Sequence, residues 1–136
     1  MLVLLGVGLA VVLPSLDRGL QDREVRRTAL GLAAAARELR SRALLGGVPQ
    51  RLALDLPRNS YVVAHSDEVR LPPEITFASV NGGESVGRDQ RNFYFFPNGS
   101  ILGGQIVIAD DAKAISYSIR LEALTGKVEV ARGNRS

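Results

Sequence analysis

Few residues of this chain have side chains that commonly do chemistry, and they stand far apart in the sequence. His65 is the one histidine, and there is no cysteine. A zinc site built from nitrogen and sulfur ligands therefore lacks its donors. We interpret His65 as a surface residue in the turn after a predicted strand that ends at Ala64. Catalysis would have to use hydroxyl, carboxylate or glycine-rich segments instead.

Three such segments lack the surroundings that their chemistry requires. Asp110 and Asp111 are adjacent, whereas a calcium loop spaces its oxygen ligands over about 12 residues, so we expect a solvated turn there. Ser100 follows Pro97-Asn98-Gly99, which is not the Gly-x-Ser-x-Gly sequence of a nucleophile elbow. Gly103-Gly104 lacks the flanking strand and helix of a phosphate-binding loop. The sequence therefore predicts no catalytic residue, no cofactor and no metal, and it favours a structural protein over an enzyme.

The length and the composition of the chain indicate one domain with a small positive net charge. A chain of 136 residues is long enough for one domain. It carries 17 basic and 14 acidic side chains, a net charge of +3, which affects solubility and non-specific attraction to anionic lipid or nucleic acid. That excess is too small to indicate nucleic-acid binding by itself. Without cysteine, no disulfide framework is available.

The chain begins with an apolar segment, residues 1–13, that contains no charged side chain. A helix needs about 20 apolar residues to cross a bilayer, so the segment is about seven residues short. A signal peptide would start with basic residues and end in a cleavage site of small residues, and neither is present. A buried core helix is a second interpretation, but large apolar side chains would lie all around this helix, which an ordinary half-exposed helix does not show.

We favour a third interpretation, in which the segment anchors the chain in a membrane or in the core of a fibre and its first residues are missing from the sequence. We expect residues 1–21 to form the apolar half of one long helix and residues 22–136 to form the globular domain. The predicted contacts to lipid or to neighbouring helices are Leu2, Val3, Leu4, Leu5, Val7, Leu9, Val11, Val12, Leu13 and Pro14. Pro14 is expected to bend the helix without ending it.

Beyond Pro14 the same helix becomes amphipathic. Apolar residues recur at alternating steps of four and three, which places them in one stripe along the helix. The members of this stripe are Val25, Ala29, Leu32, Ala36, Leu39 and Ala43. Most arginines, including Arg37 and Arg40, fall off the stripe, and we expect Arg37 to lie on the solvent side. Gly46-Gly47 followed by Pro49 predicts the end of the helix, because glycine suits a left-handed cap and proline cannot continue the helix.

After Pro49 apolar and polar residues alternate, which predicts strands. A first hairpin is expected over residues 52–64, and edge strands over residues 69–71 and 75–80, because Pro72-Pro73 excludes a central position. Residues 85–92 lack periodicity and carry several charges, so we expect an exposed, mobile loop.

Two further pairs of strands are predicted towards the C-terminus. Residues 93–96 and 105–109 flank the turn sequence Pro97-Asn98-Gly99-Ser100 and are predicted to form a hairpin. Residues 115–124 and 127–131 flank Thr125-Gly126 and are predicted to form another. In that second hairpin, the side chains expected to share one face are Tyr117, Ile119, Leu121 and Ala123. A long helix followed by antiparallel hairpins predicts an α+β fold in which the helix stripe packs on one face of the sheet.

Four stretches of the chain are distinctive when they are taken together. They are Leu13-Pro14-Ser15-Leu16, Ala43-Leu44-Leu45-Gly46-Gly47, Phe95-Phe96-Pro97-Asn98-Gly99-Ser100-Ile101-Leu102-Gly103-Gly104 and Leu124-Thr125-Gly126-Lys127-Val128. In these stretches the chain resembles the minor pseudopilin H family of the type II (general) secretion pathway, and the related minor pilins of type IV pili share much of the pattern. The most specific residues, here called the motif residues, are Phe96, Pro97, Gly99, Ser100, Gly103, Gly104, Thr125 and Gly126.

The resemblance covers essentially the whole chain and implies a pilin-like fold, with a long N-terminal helix packed on antiparallel sheet. Proteins of this family start with a short basic leader, cleaved before a phenylalanine, and carry a glutamate early in the apolar run. Here Met1 lies inside that run and no glutamate precedes Glu24. We therefore expect the leader and the assembly glutamate to be missing from this sequence.

The resemblance also implies a structural subunit and its partners. We expect the apolar helix to cross the bacterial inner membrane once, with the globular domain in the periplasm. The subunit would assemble with the major pseudopilin and with the minor pseudopilins of the fibre tip, in a fibre that helps to export folded proteins across the outer membrane. Residues 85–92 and the hairpin predicted around residue 97 are candidate contacts to neighbouring subunits.

A minor pilin of a type IV pilus is the alternative that the resemblance leaves open. In that case Arg132 and Arg135, near the C-terminus, could make weak contacts to DNA phosphates. A solvated, flexible chain end is the simpler interpretation, because no aromatic side chains accompany these arginines to stack on bases. We therefore do not expect a nucleic-acid partner.

Overall fold

The computed structural model consists of one long helix and two antiparallel sheets. It describes the backbone of residues 2–63 and 68–132, and the side chains of these residues from residue 22 onward. Helix α1 spans Leu2–Gly46, a length of about 70 Å at 1.5 Å per residue, and it continues through Pro14 as predicted. Gly47 follows with a φ of 67° and donates its N–H to the carbonyl oxygen of Ala43 at 3.0 Å. The predicted glycine cap is therefore confirmed.

The strands that the structure describes after the helix form two sheets. They are β1 (Gln50–Asp55), β2 (Ser60–Val63), β3 (Glu68–Arg70), β4 (Thr76–Gly82), β5 (Glu84–Val86), β6 (Gln90–Phe95), β7 (Gly104–Asp110), β8 (Ile115–Leu121) and β9 (Val128–Arg132). The first sheet has the order β3-β2-β1-β6-β5 and the second the order β4-β7-β8-β9. Every pair of neighbours is antiparallel. A short 3-10 helix, Asp111–Lys113, joins β7 to β8.

Helix α1 packs against both sheets, on β1 and β6 of the first and on β7, β8 and β9 of the second. All six predicted stripe residues, together with Ala33, are at most 1% exposed, so the predicted stripe is confirmed. The side chains that meet it from the sheets include Leu52, Leu54, Phe93, Phe95, Ile106, Ile108 and Ile119. The buried alanines Ala29, Ala33 and Ala36 leave room for large sheet side chains beneath the helix, as close packing of a core requires.

The hairpins predicted at the two ends of the domain are present. Strands β1 and β2 pair with Leu54 opposite Tyr61, and β8 and β9 pair with Leu121 opposite Val128. Strands β3 and β4 lie at sheet edges, as the neighbouring prolines predicted. Ala123 is the one error in the predicted face of β8, because the strand ends at Leu121 and Ala123 lies exposed in the following loop.

The prediction of a loop over residues 85–92 is wrong. Strands β5 and β6 form a hairpin there, with Glu84 opposite Asn92 and Val86 opposite Gln90. Its residues are mostly exposed, because β5 lies at a sheet edge where it is held by backbone hydrogen bonds and needs no buried side chains. Such a strand produces no alternation of apolar and polar residues, which is why the sequence pattern did not reveal it.

The prediction of a hairpin around residue 97 is also wrong. The turn itself is present, since the Gly99 N–H donates to the Phe96 carbonyl at 2.9 Å. However, β6 belongs to the first sheet and β7 to the second. The two residues that flank the turn, Phe95 and Ile101, form one isolated β-bridge. Residues 96–103 therefore carry the chain from one sheet to the other.

Candidate functional site

Two of the residues considered for chemistry, Asp110 and Ser100, make local hydrogen bonds that hold turns. His65 lies outside the described residues. Asp110 was predicted to lie in a solvated turn, and this is wrong: it is only 3% exposed, accepts a hydrogen bond from the Lys113 N–H at 3.3 Å and lies 3.7 Å from the Lys113 Nζ. It thus caps the 3-10 helix. Among the described residues, no group of three or more histidine, cysteine, aspartate or glutamate side chains is placed to hold a metal.

The side chain of Ser100 takes part in a local turn. Its hydroxyl donates to the Asn98 Oδ1 at 2.7 Å, and its N–H donates to the same oxygen at 3.0 Å. The Phe96 N–H in turn donates to the Ser100 carbonyl at 2.9 Å. The Pro-Asn-Gly-Ser sequence is therefore explained by the turn, in which the Asn98 side chain accepts hydrogen bonds that a backbone carbonyl would otherwise accept.

The motif residues, which are separate in sequence, meet where α1 ends. The turn of residues 96–100 lies beside the β8–β9 loop of residues 122–127, and the Ile101 N–H donates to the Ala123 carbonyl at 3.0 Å. Arg40 reaches both segments, since its Nε donates to the Gly99 carbonyl at 3.3 Å and its Nη2 to the Thr125 carbonyl at 3.4 Å. We call this arrangement of Arg40, the turn and the loop the Arg40 junction. The position of Arg40 off the stripe did not indicate these contacts.

Two glycines of the motif are required by close backbone approach. Gly126 has a φ of 71°, and a Cβ at this position would collide with the Gly99 carbonyl and with the Arg40 side chain. A Cβ at Gly104 would collide with the carbonyl of Asn81 on the adjacent strand. The glycines therefore bring the inter-sheet connection, the last hairpin and β4 together, and the motif has a structural explanation.

An open groove of about 580 Å³ adjoins the Arg40 junction on the second sheet. Asn81, Gln105 and Arg120 occupy matched positions on three neighbouring strands. The complete lining consists of Asn81, Gly82, Gly104, Gln105, Arg120, Leu121, Glu122, Ala123, Leu124 and Thr125. This lining places hydrogen-bond donors beside the exposed Leu124, and within it the Thr125 hydroxyl donates to the Glu122 carboxylate at 2.9 Å.

Exposed apolar side chains concentrate at the same end of the molecule. Of the eight large apolar side chains that are exposed among the described residues, five lie near the end of α1 or on the segments that it contacts there. They are Leu44 (43% exposed), Leu45 (90%), Val48 (57%), Leu102 (38%) and Leu124 (93%). We call this set the distal leucine surface. Clustered exposed apolar residues commonly mark an interaction surface.

Asp22 occupies the opposite end of the domain, where the described side chains of α1 begin. The Tyr117 hydroxyl donates to its Oδ2 at 2.9 Å, and the Arg132 Nε lies 3.5 Å from its Oδ1. Burial raises the pKa of Tyr117, and the hydrogen bond to Asp22 and its charge raise it further. Arg132 is the last residue of β9, so its predicted place on a flexible tail is wrong. Arg135 lies outside the described residues.

Comparisons with known proteins give a match in structure. No family model matches the sequence, and no curated protein matches it. The fold is similar to the solved structure of the minor pseudopilin EpsH from the Type 2 Secretion System of Vibrio cholerae, with a TM-score of 0.64. The match covers 80% of this chain and 97% of that chain at 11% sequence identity. The chain has the fold of a minor pseudopilin.

This pseudopilin-like fold confirms the α+β, pilin-like architecture expected from the resemblance: one N-terminal helix lies on antiparallel sheets. The anchor prediction rests instead on the apolar segment, residues 1–13. The side chains of residues 2–14 lie outside those that the structure describes. In the part of the chain that is described, no helical stretch combines the length and the apolar character needed to cross a membrane. The anchor therefore stays a prediction.

The Arg40 junction predicts a large difference between two glycine substitutions in this pseudopilin-like domain. Gly126→Ala should lower the free energy of unfolding by about 2 to 3 kcal/mol, because it adds a steric collision to the cost of a left-handed backbone. Gly87→Ala should cost only about 1 kcal/mol, since Gly87 has a similar φ of 66° but no atom lies within 4 Å of the place that its Cβ would take. Urea unfolding of the two variants measures the difference, and equal losses would contradict the junction.

Proposed function

We propose that this protein is a minor pseudopilin, a structural subunit of a type II secretion pseudopilus that helps to export folded proteins across the outer membrane. The observation that carries the proposal is the fold shared with EpsH, which extends over 97% of that chain. The meeting of the motif residues at the Arg40 junction supports it, because residues that the resemblance singled out prove to build one local structure.

The proposed location follows from the charge pattern of the helix. Residues 1–13 carry no charge, and helices that are apolar all round need lipid or one another as partners. We place the chain in the bacterial inner membrane as a single-pass protein with a periplasmic domain. During assembly the apolar half of the helix would pass into the fibre core beside the helices of the major and the other minor pseudopilins.

The distal leucine surface is the proposed contact to neighbouring subunits. Leu45 and Leu124 are almost fully exposed, and burying a leucine side chain against a partner is worth about 1.5 to 3 kcal/mol. The groove beside Leu124 adds the donors of Arg120 and Gln105. A neighbour that inserts an apolar side chain beside a carboxylate would match both features.

A secretion assay in cells that lack this gene tests the proposal. Deletion should leave folded substrates in the periplasm, and the wild-type gene should restore their release into the medium. Leu45→Arg/Leu124→Arg should restore less than about a tenth of it, because an arginine cannot be buried at an apolar contact without a large desolvation cost. Val69→Arg, on an exposed edge strand, is the matched control and should restore secretion fully. Normal secretion after deletion would refute the proposal.

The alternative function, a type IV pilus minor pilin that contacts DNA, has weaker support. One of its two candidate arginines, Arg132, lies beside the Asp22 carboxylate, so a phosphate would have to compete with an existing ion pair. Binding by so few basic groups is weak and strongly salt-dependent. We therefore retain the secretion role as the proposed function and do not propose a nucleic-acid partner.

A further inference from the structure

Asp22 is a carboxylate at a position where the helix stripe continues. It lies three residues before Val25, which extends the alternating steps of three and four in the direction of the N-terminus. Its side chain is 24% exposed, while Arg23, Glu24 and Arg26 around it are exposed. An acidic residue that points to the sheet needs partners there, because a carboxylate loses its hydration when it is covered.

The two partners lie side by side on the second sheet. Tyr117 on β8 and Arg132 on β9 are directly paired across the strands. Tyr117 is itself only 6% exposed, so its hydroxyl donates to Asp22 from a fixed position. The carboxylate therefore accepts a hydrogen bond from β8 and forms an ion pair with β9 at one level of the sheet. The bond to Tyr117 joins residues 95 positions apart.

The two halves of this contact differ in strength. The Tyr117 hydroxyl makes a hydrogen bond of ordinary length, 2.9 Å. The Asp22 Oδ1, in contrast, is buried and makes no hydrogen bond in the described structure, and the Arg132 group beside it, at 3.5 Å, is 69% exposed. Ion pairs with one exposed partner contribute little to stability. One oxygen of the covered carboxylate thus has a hydrogen-bond donor and the other has none. Such a contact holds the helix on the sheet but costs little free energy to break.

We propose that Asp22, Tyr117 and Arg132 form a latch that fixes the direction in which the helix leaves the domain, and that opening the latch frees the helical turn at Asp22 while the part of the helix from Leu32 to Ala43 stays docked. Val25 is the one fully buried apolar residue in the described turn beside the latch. Farther along the helix, Leu32, Leu39 and Ala43 are completely buried. Opening is therefore local, because the hydrophobic contacts that hold the helix lie beyond the latch.

The latch goes beyond the proposed function, which concerns assembly and secretion. In the proposed function the apolar helix passes from a membrane into a fibre, so the direction in which the helix leaves the domain bears on that step. The latch would keep that direction fixed until a neighbouring subunit or the fibre takes over the contacts of the helix. Its test needs neither a fibre nor secretion, so it can fail or succeed independently of the proposed function.

Distance measurements between two spin labels on the full chain in detergent micelles test the latch. The chain has no cysteine, so Arg18→Cys and Ser79→Cys provide one unique pair, with Ser79 on the exposed face of β4. The distribution of distances should be narrow in the otherwise native chain and at least twofold broader with Asp22→Ala. Glu24→Ala, which removes the same charge from the exposed side of the same turn, is the matched control and should leave the width unchanged.

Amide hydrogen exchange locates the effect. Asp22→Ala should raise the exchange rates of residues 25–29 by at least tenfold and leave those of residues 36–43 unchanged. Tyr117→Phe should reproduce most of this increase, and Arg132→Gln a smaller part, in keeping with the two contact distances. Unchanged distances and rates in Asp22→Ala would overturn the proposal. Equal increases along the whole helix would also overturn it, because they would show a loss of overall stability instead of a local release.

Discussion

Replacing Leu39 by alanine should lower the free energy of unfolding of the domain by about 2 to 5 kcal/mol. Leu39 is completely buried in the stripe of α1, and so is Leu32, for which we expect a loss in the same range. The substitution removes apolar contacts and leaves a cavity that a close-packed interior cannot fill by small shifts. Urea unfolding of residues 22–136, followed by circular dichroism, measures the loss.

The same helix provides a matched control for this substitution. Leu30→Ala makes an identical chemical change at a side chain that is 43% exposed, and it should cost less than about 1 kcal/mol. Equal losses at Leu30 and Leu39 would show that the helix does not dock on the sheets by its stripe.

The contribution of Arg37 to the free energy of unfolding should be larger than its position off the stripe suggests. A solvent-facing arginine off the stripe would be expected to contribute under about 0.5 kcal/mol. Arg37 is indeed exposed, but its Nη2 donates to the Val128 carbonyl at 2.8 Å. Val128 begins β9, the edge strand of the second sheet. We therefore expect Arg37→Ala to cost about 1 kcal/mol, the usual net value of such a hydrogen bond.

Removing residues 1–21 should change the protein from one that needs detergent to a soluble monomer. The removed segment includes the uncharged residues 1–13, which need lipid or other helices to cover them. The domain that remains buries the stripe of its helix on its own sheets. Membrane fractionation followed by size-exclusion chromatography of both chains measures the change.

A substitution within the apolar segment controls for the effect of length. Leu9→Asp should move a large part of the full chain from the membrane to the soluble fraction, because an aspartate in the middle of a membrane helix costs about 2.5 to 3.5 kcal/mol. If the full chain behaves as a freely soluble monomer, the anchor prediction is wrong.

The sequence by itself determined the elements that depend on local periodicity. The stripe from Val25 to Ala43, the glycine cap after the helix and the turn at residues 96–100 all follow from the spacing of neighbouring residues. Each reflects the geometry of a single helix, strand or turn, which a short window of sequence contains. The α+β class follows from the order of these elements along the chain.

Tertiary structure alone decided which strands pair and which polar side chains make contacts with distant segments. Residues 93–109 look like a hairpin in sequence, yet β6 and β7 find their partners in different sheets. Asp22 continues the stripe, and this spacing was the one available signal of its burial. Arg40 gave no comparable signal, because its two acceptors lie 59 and 85 residues away. Periodicity shows which face of an element is buried, but the partner opposite that face is set by packing between distant segments of the chain.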